Sequence, residues 1–317
     1  MISWLGQRWR SALTDPQRLH APLLTTAEIA RLAGEGRELA LRQPSLLDTR
    51  RAGDWQAPRL GQGLDFETAR PYMPGDDIRH MDWRSTARSG HAYLRLYREE
   101  RQPSLHLVID RGPAMRFGTR RRLKAAQAAR VGALLAYAAS ASRYSLGATL
   151  WDAGDVELAA HHGGEAAHAL AHAVSRACPP RGPTSAGDEA VRLARLTAIL
   201  PRGSHIVLIS DFTWLMPAHW MLLARLAEYG ELWAVVIADM AERRLPDMGL
   251  AQFLDLHNGR LSWVDTRRTA AQLAHAFTRR QAELSTRLQD LGARYLLVGS
   301  EEESLLPHFV AHAASAQ

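Results

Sequence analysis

Asp110 and Asp211 are the two residues best placed to do chemistry. Each closes a short apolar run, SLHLVID at 104–110 and HIVLISD at 205–211. Runs of this kind form central strands buried on both faces of a parallel sheet, and open α/β sheets bind ligands off the carboxyl ends of such strands. Two carboxylates meeting there offer oxygen ligands to a hard divalent cation such as Mg²⁺. In the alternative reading both aspartates accept backbone N–H groups and cap the helices that follow.

Other candidates are weaker. His161, His162, His168 and His172 cluster, and the last two stand four apart on a predicted helix, a spacing that puts two imidazoles on one metal. No glutamate follows His168 as a zinc-hydrolase helix requires. Asp76 and Asp77 are adjacent carboxylates suited to acid–base work, but arginine neighbours hold such groups ionised. No serine–histidine or cysteine–histidine arrangement accompanies them. GTRRRLK at 118–124 lacks the spacing of a phosphate-binding loop, and Asp110-Arg111-Gly112 lacks the second aspartate of a phosphoaspartate hydrolase.

These residues need a scaffold, and the periodicity supplies one. Residues up to about Pro44 read as helical, with a threonine cap at Thr25 or Thr26 before Ile29 and Leu32. From about Ser45 to Gln102 the period shortens: Tyr93, Arg95 and Tyr97 alternate with Leu94 and Leu96, and Pro74-Gly75-Asp76 signals a turn. Strands and helices then alternate, with a helix over 119–140, a hairpin over 144–160 and helices over 165–176 and 187–200. Beyond the strand at 205–210, Pro217 opens a helix that Gly230 closes. A strand follows at 232–238, then a hairpin around Asn258-Gly259, a long helix capped by Thr266, a strand at 294–298 and a closing helix. This order predicts a doubly wound, mostly parallel α/β sheet with one hairpin edge.

Bulk properties narrow the class. The chain has 317 residues, 46% hydrophobic and 23% charged, values of an ordinary globular protein. One cysteine, Cys178, excludes an internal disulfide framework and fits a reducing compartment. No apolar stretch approaches the roughly 20 residues that span a bilayer, so the expectation is a cytoplasmic protein. Trp4 and Trp9 beside Arg8 and Arg10 would allow peripheral membrane contact, though packing on the protein body is the preferred reading. The net charge is +6 with Lys124 the only lysine. Acids are interleaved with the arginines, so nucleic-acid binding through Arg120, Arg121, Arg122 and Lys124 is an alternative and not the expectation.

The segment Gly61–Glu100 carries a denser pattern: Phe66, Tyr72, Pro74-Gly75-Asp76, Arg79, Asp82-Trp83-Arg84 and Ala87-Arg88. Together with SLHLVID behind it, this resembles a bacterial family called domain of unknown function 58, which carries a von Willebrand factor A-like domain. Periodicity and resemblance together give three parts: a helical segment at 1–44, a β-rich signature unit at 45–102 and, by the resemblance, a von Willebrand factor A-like domain at 103–317. The resemblance also implies a metal-ion-dependent adhesion site built from Asp110, Thr184 and Asp211. Both serines of that site's first motif are replaced, by Gly112 and Ala114, and Arg111 adds a guanidinium beside Asp110. The site is therefore degenerate and binds Mg²⁺ weakly if at all, and no other cofactor is expected.

Members of that family look like partners of MoxR-type AAA+ ATPases. The expectation is a non-catalytic adaptor that works with such an ATPase on a protein client, the signature residues serving partner binding or fold. The rival is a metal-dependent binder or enzyme using Asp110, Thr184 and Asp211.

Overall fold

The computed structural model describes residues 21–42, 65–73, 76–98, 103–119, 121–152, 154–178, 188–254 and 260–314. Thr184, Pro74, Gly75, Arg120 and the N-terminal tryptophans Trp4 and Trp9 lie outside them. The chain divides into two compact units, one of residues 50–102 and one of 1–49 with 103–317.

The smaller unit follows a helix of the larger, α1 (Thr26–Arg42), in the chain. It pairs β1 (Asp65–Pro71) antiparallel with β2 (Tyr93–Arg98), from Asp65 opposite Arg98 to Pro71 opposite Tyr93. Between them lie a 3₁₀ turn at 78–80 and helix α2 (Trp83–Ser89). Acids in the signature shape this connection by capping. Asp77 accepts from the Arg79 N–H at 2.9 Å. Asp82 accepts from the Arg84 N–H at 3.1 Å and the Ser85 hydroxyl at 2.7 Å. Gly90, at φ 71°, ends the helix in the left-handed conformation glycine adopts without steric cost. Arg70 donates to both Asp76 oxygens at 2.8 and 2.7 Å, which holds the Asp76 carboxyl below its usual range. Among the described residues Arg70 and Asp76 thus form a bidentate ion pair, while Asp77 and Asp82 cap short helices, because short Asp side chains reach nearby backbone N–H groups. Arg79, Trp83, Arg84 and Arg88 are exposed.

The larger unit holds β3 (Ser104–Asp110), α3 (Lys124–Ala141), β4 (Ser145–Trp151), β5 (Val156–His161), α4 (Gly164–Ser175), α5 (Asp188–Ile199), β6 (Ser204–Ser210), α6 (His219–Tyr229), β7 (Gly230–Ala238) and α7 (Met240–Arg243). The hairpin β8 (Leu250–Leu254) and β9 (Leu261–Asp265), α8 (Thr266–Asp290), β10 (Arg294–Gly299) and α9 (Leu306–Ala314) complete it. The described strands form a six-stranded sheet in the order β10-β7-β6-β3-β4-β5, parallel except for the edge strand β5.

Alternation within each central strand explains the two-sided core. Leu105, Leu107 and Ile109 of β3 join one apolar cluster with α3 and α4, while Val108 joins the other with α5, α6 and α8. Val207 and Ile209 of β6 likewise oppose Ile206 and Leu208. Successive strand residues face opposite sides, so continuous apolar runs are what a sheet covered on both faces requires.

α1 packs on α3 in the larger unit through Ile29, Leu32 and Leu39, all buried. Gly36 allows the close approach: a Cβ there would lie 2.7 Å from Tyr137 Cβ and 2.8 Å from the Leu134 carbonyl. Gly36→Val is expected to force the helices apart and cost about 1–3 kcal/mol, read as a lower urea midpoint with unchanged slope.

Two helix starts differ from expectation. α3 begins at Lys124 and not at Thr119, whose N–H and hydroxyl are bonded to Asp239. Asp265 caps α8 through the Arg267 and Arg268 N–H groups, while the Thr266 hydroxyl donates to the Gly249 carbonyl at 2.8 Å. Among the described residues no helix is long and apolar enough to cross a membrane.

Candidate functional site at the carboxyl edge of the sheet

The chain winds from β3 outward to β5 on one side and returns to β6 on the other, so strand order reverses between β3 and β6. Crevices at such reversals are where open α/β sheets bind ligands. Ile109 pairs with Ile209, which brings the following residues, Asp110, Ser210 and Asp211, to one rim. The structure thus joins two of the three residues assigned to a cation site.

Neither aspartate caps a long helix. Asp110 accepts from the Ser210 hydroxyl at 2.6 Å and the Gly112 N–H at 2.7 Å. Asp211 accepts from the Thr213 N–H at 2.9 Å and the Thr213 hydroxyl at 2.7 Å on one oxygen. Its other oxygen takes the Lys124 ammonium at 2.7 Å. Phe212, next in the chain, is buried at φ 55°, a left-handed conformation that costs a non-glycine residue and is kept only where surroundings enforce it. That turn lets both Ser210 and Asp211 face the rim. Ser210 also accepts from the Phe212 N–H and the Trp214 indole at 3.0 and 2.9 Å.

Lys124 is the residue the sequence reading misplaced. Its side chain is only 2% exposed, and its ammonium also meets Glu242 at 2.6 Å. It is therefore no part of a surface for nucleic acid. Burial works against its charge, but the Asp211 and Glu242 carboxylates outweigh burial and hold its pKa above the ordinary value. Arg121 pairs with Glu303, and Arg122 donates to Gln127 and the Glu302 carbonyl. Arg111 turns away from Asp110, reaching the Arg176 carbonyl at 2.6 Å and Asp152 at 3.5 Å.

The network continues across the rim. Glu242 accepts the Asp239 N–H at 2.8 Å. Asp239, at the end of β7 and fully buried, accepts from the Thr119 N–H at 3.0 Å, the Ala241 N–H at 3.0 Å, the Ser300 hydroxyl at 2.6 Å and the Thr119 hydroxyl. Sequence reasoning missed Asp239, Glu242 and Ser300, although Asp239 follows an apolar strand just as Asp110 does.

Asp110 and Asp211 titrate apart. Burial, then the negative charge of Asp211, pushes the Asp110 carboxyl up to about 6, against the Ser210 and Gly112 hydrogen bonds and the Arg192 charge. Burial also opposes ionisation of Asp211, but Lys124 outweighs it and keeps that carboxyl below its usual range. A carboxyl whose folded pKa is raised binds more protons folded than unfolded, so stability falls as pH rises from about 4 to about 6. His106 acts oppositely in the same window, because burial lowers its imidazole to about 4. The difference between wild type and Asp110→Asn isolates the aspartate. Between pH 4 and 6.5 wild type is expected to lose on the order of 2 kcal/mol relative to that variant, measured by urea unfolding; parallel profiles would contradict the assignment.

Among the described residues the donor set does not suit a metal. Both oxygens of Asp110, Asp211 and Asp239 already accept hydrogen bonds, Lys124 places a positive charge against Asp211, and Gly112 and Ala114 bring no hydroxyl. Among the described residues no three His, Cys, Asp or Glu side chains are grouped to hold an ion. His168 and His172 contact each other at 3.0 Å, and His168 also meets the Tyr137 hydroxyl at 3.3 Å. They line a cleft of about 690 Å³ between α1, α3 and α4, away from the strand ends.

Fold and rim define an α/β protein with a mixed six-stranded sheet whose reversal point is closed by an internal ion-pair network. The chain belongs to the family described as Protein of unknown function DUF58, whose model matches residues 68–286. It is 31% identical over 249 residues, 77% of each chain, to the uncharacterized proteins Rv1480 of Mycobacterium tuberculosis and Mb1516 of Mycobacterium bovis. Among solved structures, the conserved hypothetical protein BatB from Bacteroides thetaiotaomicron matches with a TM-score of 0.44 and 14% identity, covering 67% of this chain and 98% of its own. An aerotolerance-related membrane protein from Bacteroides fragilis matches with a TM-score of 0.44 and 13% identity, covering 67% and 99%.

Proposed function

We propose that this protein is a non-catalytic adaptor, von Willebrand factor A-like in its larger unit, that works with a MoxR-type AAA+ ATPase in assembling or maturing a client complex. One observation carries the reading. The carboxylates Asp110, Asp211, Asp239 and Glu242 along the carboxyl rim of the sheet are all bonded to internal donors. Groups committed in this way hold a surface in shape; acid–base work needs a group that reaches the substrate's proton. The loop and helix leaving that rim present Met216 and Met221, 58% and 74% exposed, and methionine is enriched where proteins meet. The single, buried cysteine suits a cytoplasmic setting.

Affinity capture of the full chain from its native cells, with and without ATP, tests the reading. Recovery of an AAA+ ATPase whose amount changes with nucleotide is expected, and it should drop at least about tenfold for Met216→Glu with Met221→Glu, since a charge at the core of an interface is left desolvated. Absence of any such ATPase in both conditions would count decisively against the adaptor assignment.

A further inference from the structure

The acidic rim needs a positive charge, and a side chain of the protein itself, Lys124, provides one. Asp211 and Glu242 share the Lys124 ammonium at 2.7 and 2.6 Å, while Asp110, on the neighbouring strand, is bonded to the Ser210 hydroxyl. Lys124 is the first residue of α3, where the helix dipole disfavours a cation and no acid stands in the first turn. The chain uses arginine for all its other basic side chains except histidine. A guanidinium is a broad planar fork, whereas an ammonium is a compact point charge that fits between two carboxylates. The Phe117 ring, 5.7 Å from the ammonium, closes a further side.

We infer that Lys124 is the permanent cation of this corner: its ammonium takes the place that an exchangeable divalent ion holds at comparable carboxylate clusters, so the fold needs no metal there, and the corner becomes a metal site only when Lys124 is removed. This is independent of the adaptor reading. Oxygen ligands for a hard ion are present in Asp211, Glu242 and Thr213, but they are held around a fixed positive charge that repels one. Neutralising the lysine at similar volume leaves clustered carboxylates without a counter-charge, the arrangement that recruits Mg²⁺ or Mn²⁺.

The experiment is titration of Mg²⁺ and Mn²⁺ into the full-length wild type and into Lys124→Met, followed by calorimetry and by thermal unfolding in metal or EDTA. Wild type is expected to give no saturable binding and the same melting temperature in both media. Lys124→Met is expected to melt lower in EDTA, to recover part of the loss in metal, and to bind Mn²⁺ at least about tenfold more tightly than wild type. If Lys124→Met does not fold, Lys124→Gln, which is neutral, polar and keeps all the oxygen ligands, is measured in its place. Saturable metal binding to wild type that Asp211→Asn abolishes would overturn the inference. So would a lysine variant that gains no affinity for either metal.

Discussion

Lys124→Ala is expected to lower the unfolding free energy by about 3–5 kcal/mol, the usual cost of removing one partner from a buried ion pair. The lysine and Asp211 side chains are 2% and 4% exposed, so water cannot replace the lost ammonium. Glu242, 28% exposed, recovers part of its solvation, which places Asp211 at the centre of the penalty. The reciprocal change separates charge from packing. Lys124→Ala combined with Asp211→Asn removes both charges and is expected to be less destabilised than the lysine variant alone. Guanidinium-induced unfolding of the single and double variants gives the coupling free energy directly. Additive effects would mean that the pair contributes no more than its two side chains packed separately.

Asp239→Ala is the second large effect, again about 3–5 kcal/mol. Its carboxylate receives four donors, the Thr119 N–H and hydroxyl, the Ala241 N–H and the Ser300 hydroxyl. Each buried donor left without an acceptor costs roughly 1–3 kcal/mol, less than additively because the loop relaxes. Thr119 lies 120 residues from Asp239, so the loss should loosen the segment before α3 and the α7 turn together. Amide exchange checks this: protection at Thr119 and Ala241 should fall in Asp239→Ala while the centre of β6 stays protected. Unchanged exchange at both amides would place the stabilisation elsewhere.

The sheet was legible for a simple reason. Burial on both faces demands runs such as LHLVI and IVLIS, and few other structures use them. Helix starts were less legible, because a threonine before an apolar period signals a cap whether or not its hydroxyl is engaged by a distant partner, as that of Thr266 is by Gly249. At the rim, the adjacency of Asp110 and Asp211 followed from the strand–aspartate pattern. Lys124 did not, because RRRLK looks like a solvated basic tract until the fold turns its last residue inward. Its singularity was the available signal: a chain that otherwise relies on arginine keeps lysine only where a fork would not fit. Glu242 had no comparable mark, since its role depends on the capping box it makes with Asp239.

A final consequence concerns amine chemistry. With its one lysine sealed under the sheet's rim, the folded larger unit offers amine-directed reagents and lysine-modifying enzymes no accessible side-chain amine, and the raised pKa keeps the nitrogen protonated as well. Labelling at Lys124 therefore reports the opening of that rim, and any tag joined through a lysine side chain must wait for the protein to come apart there.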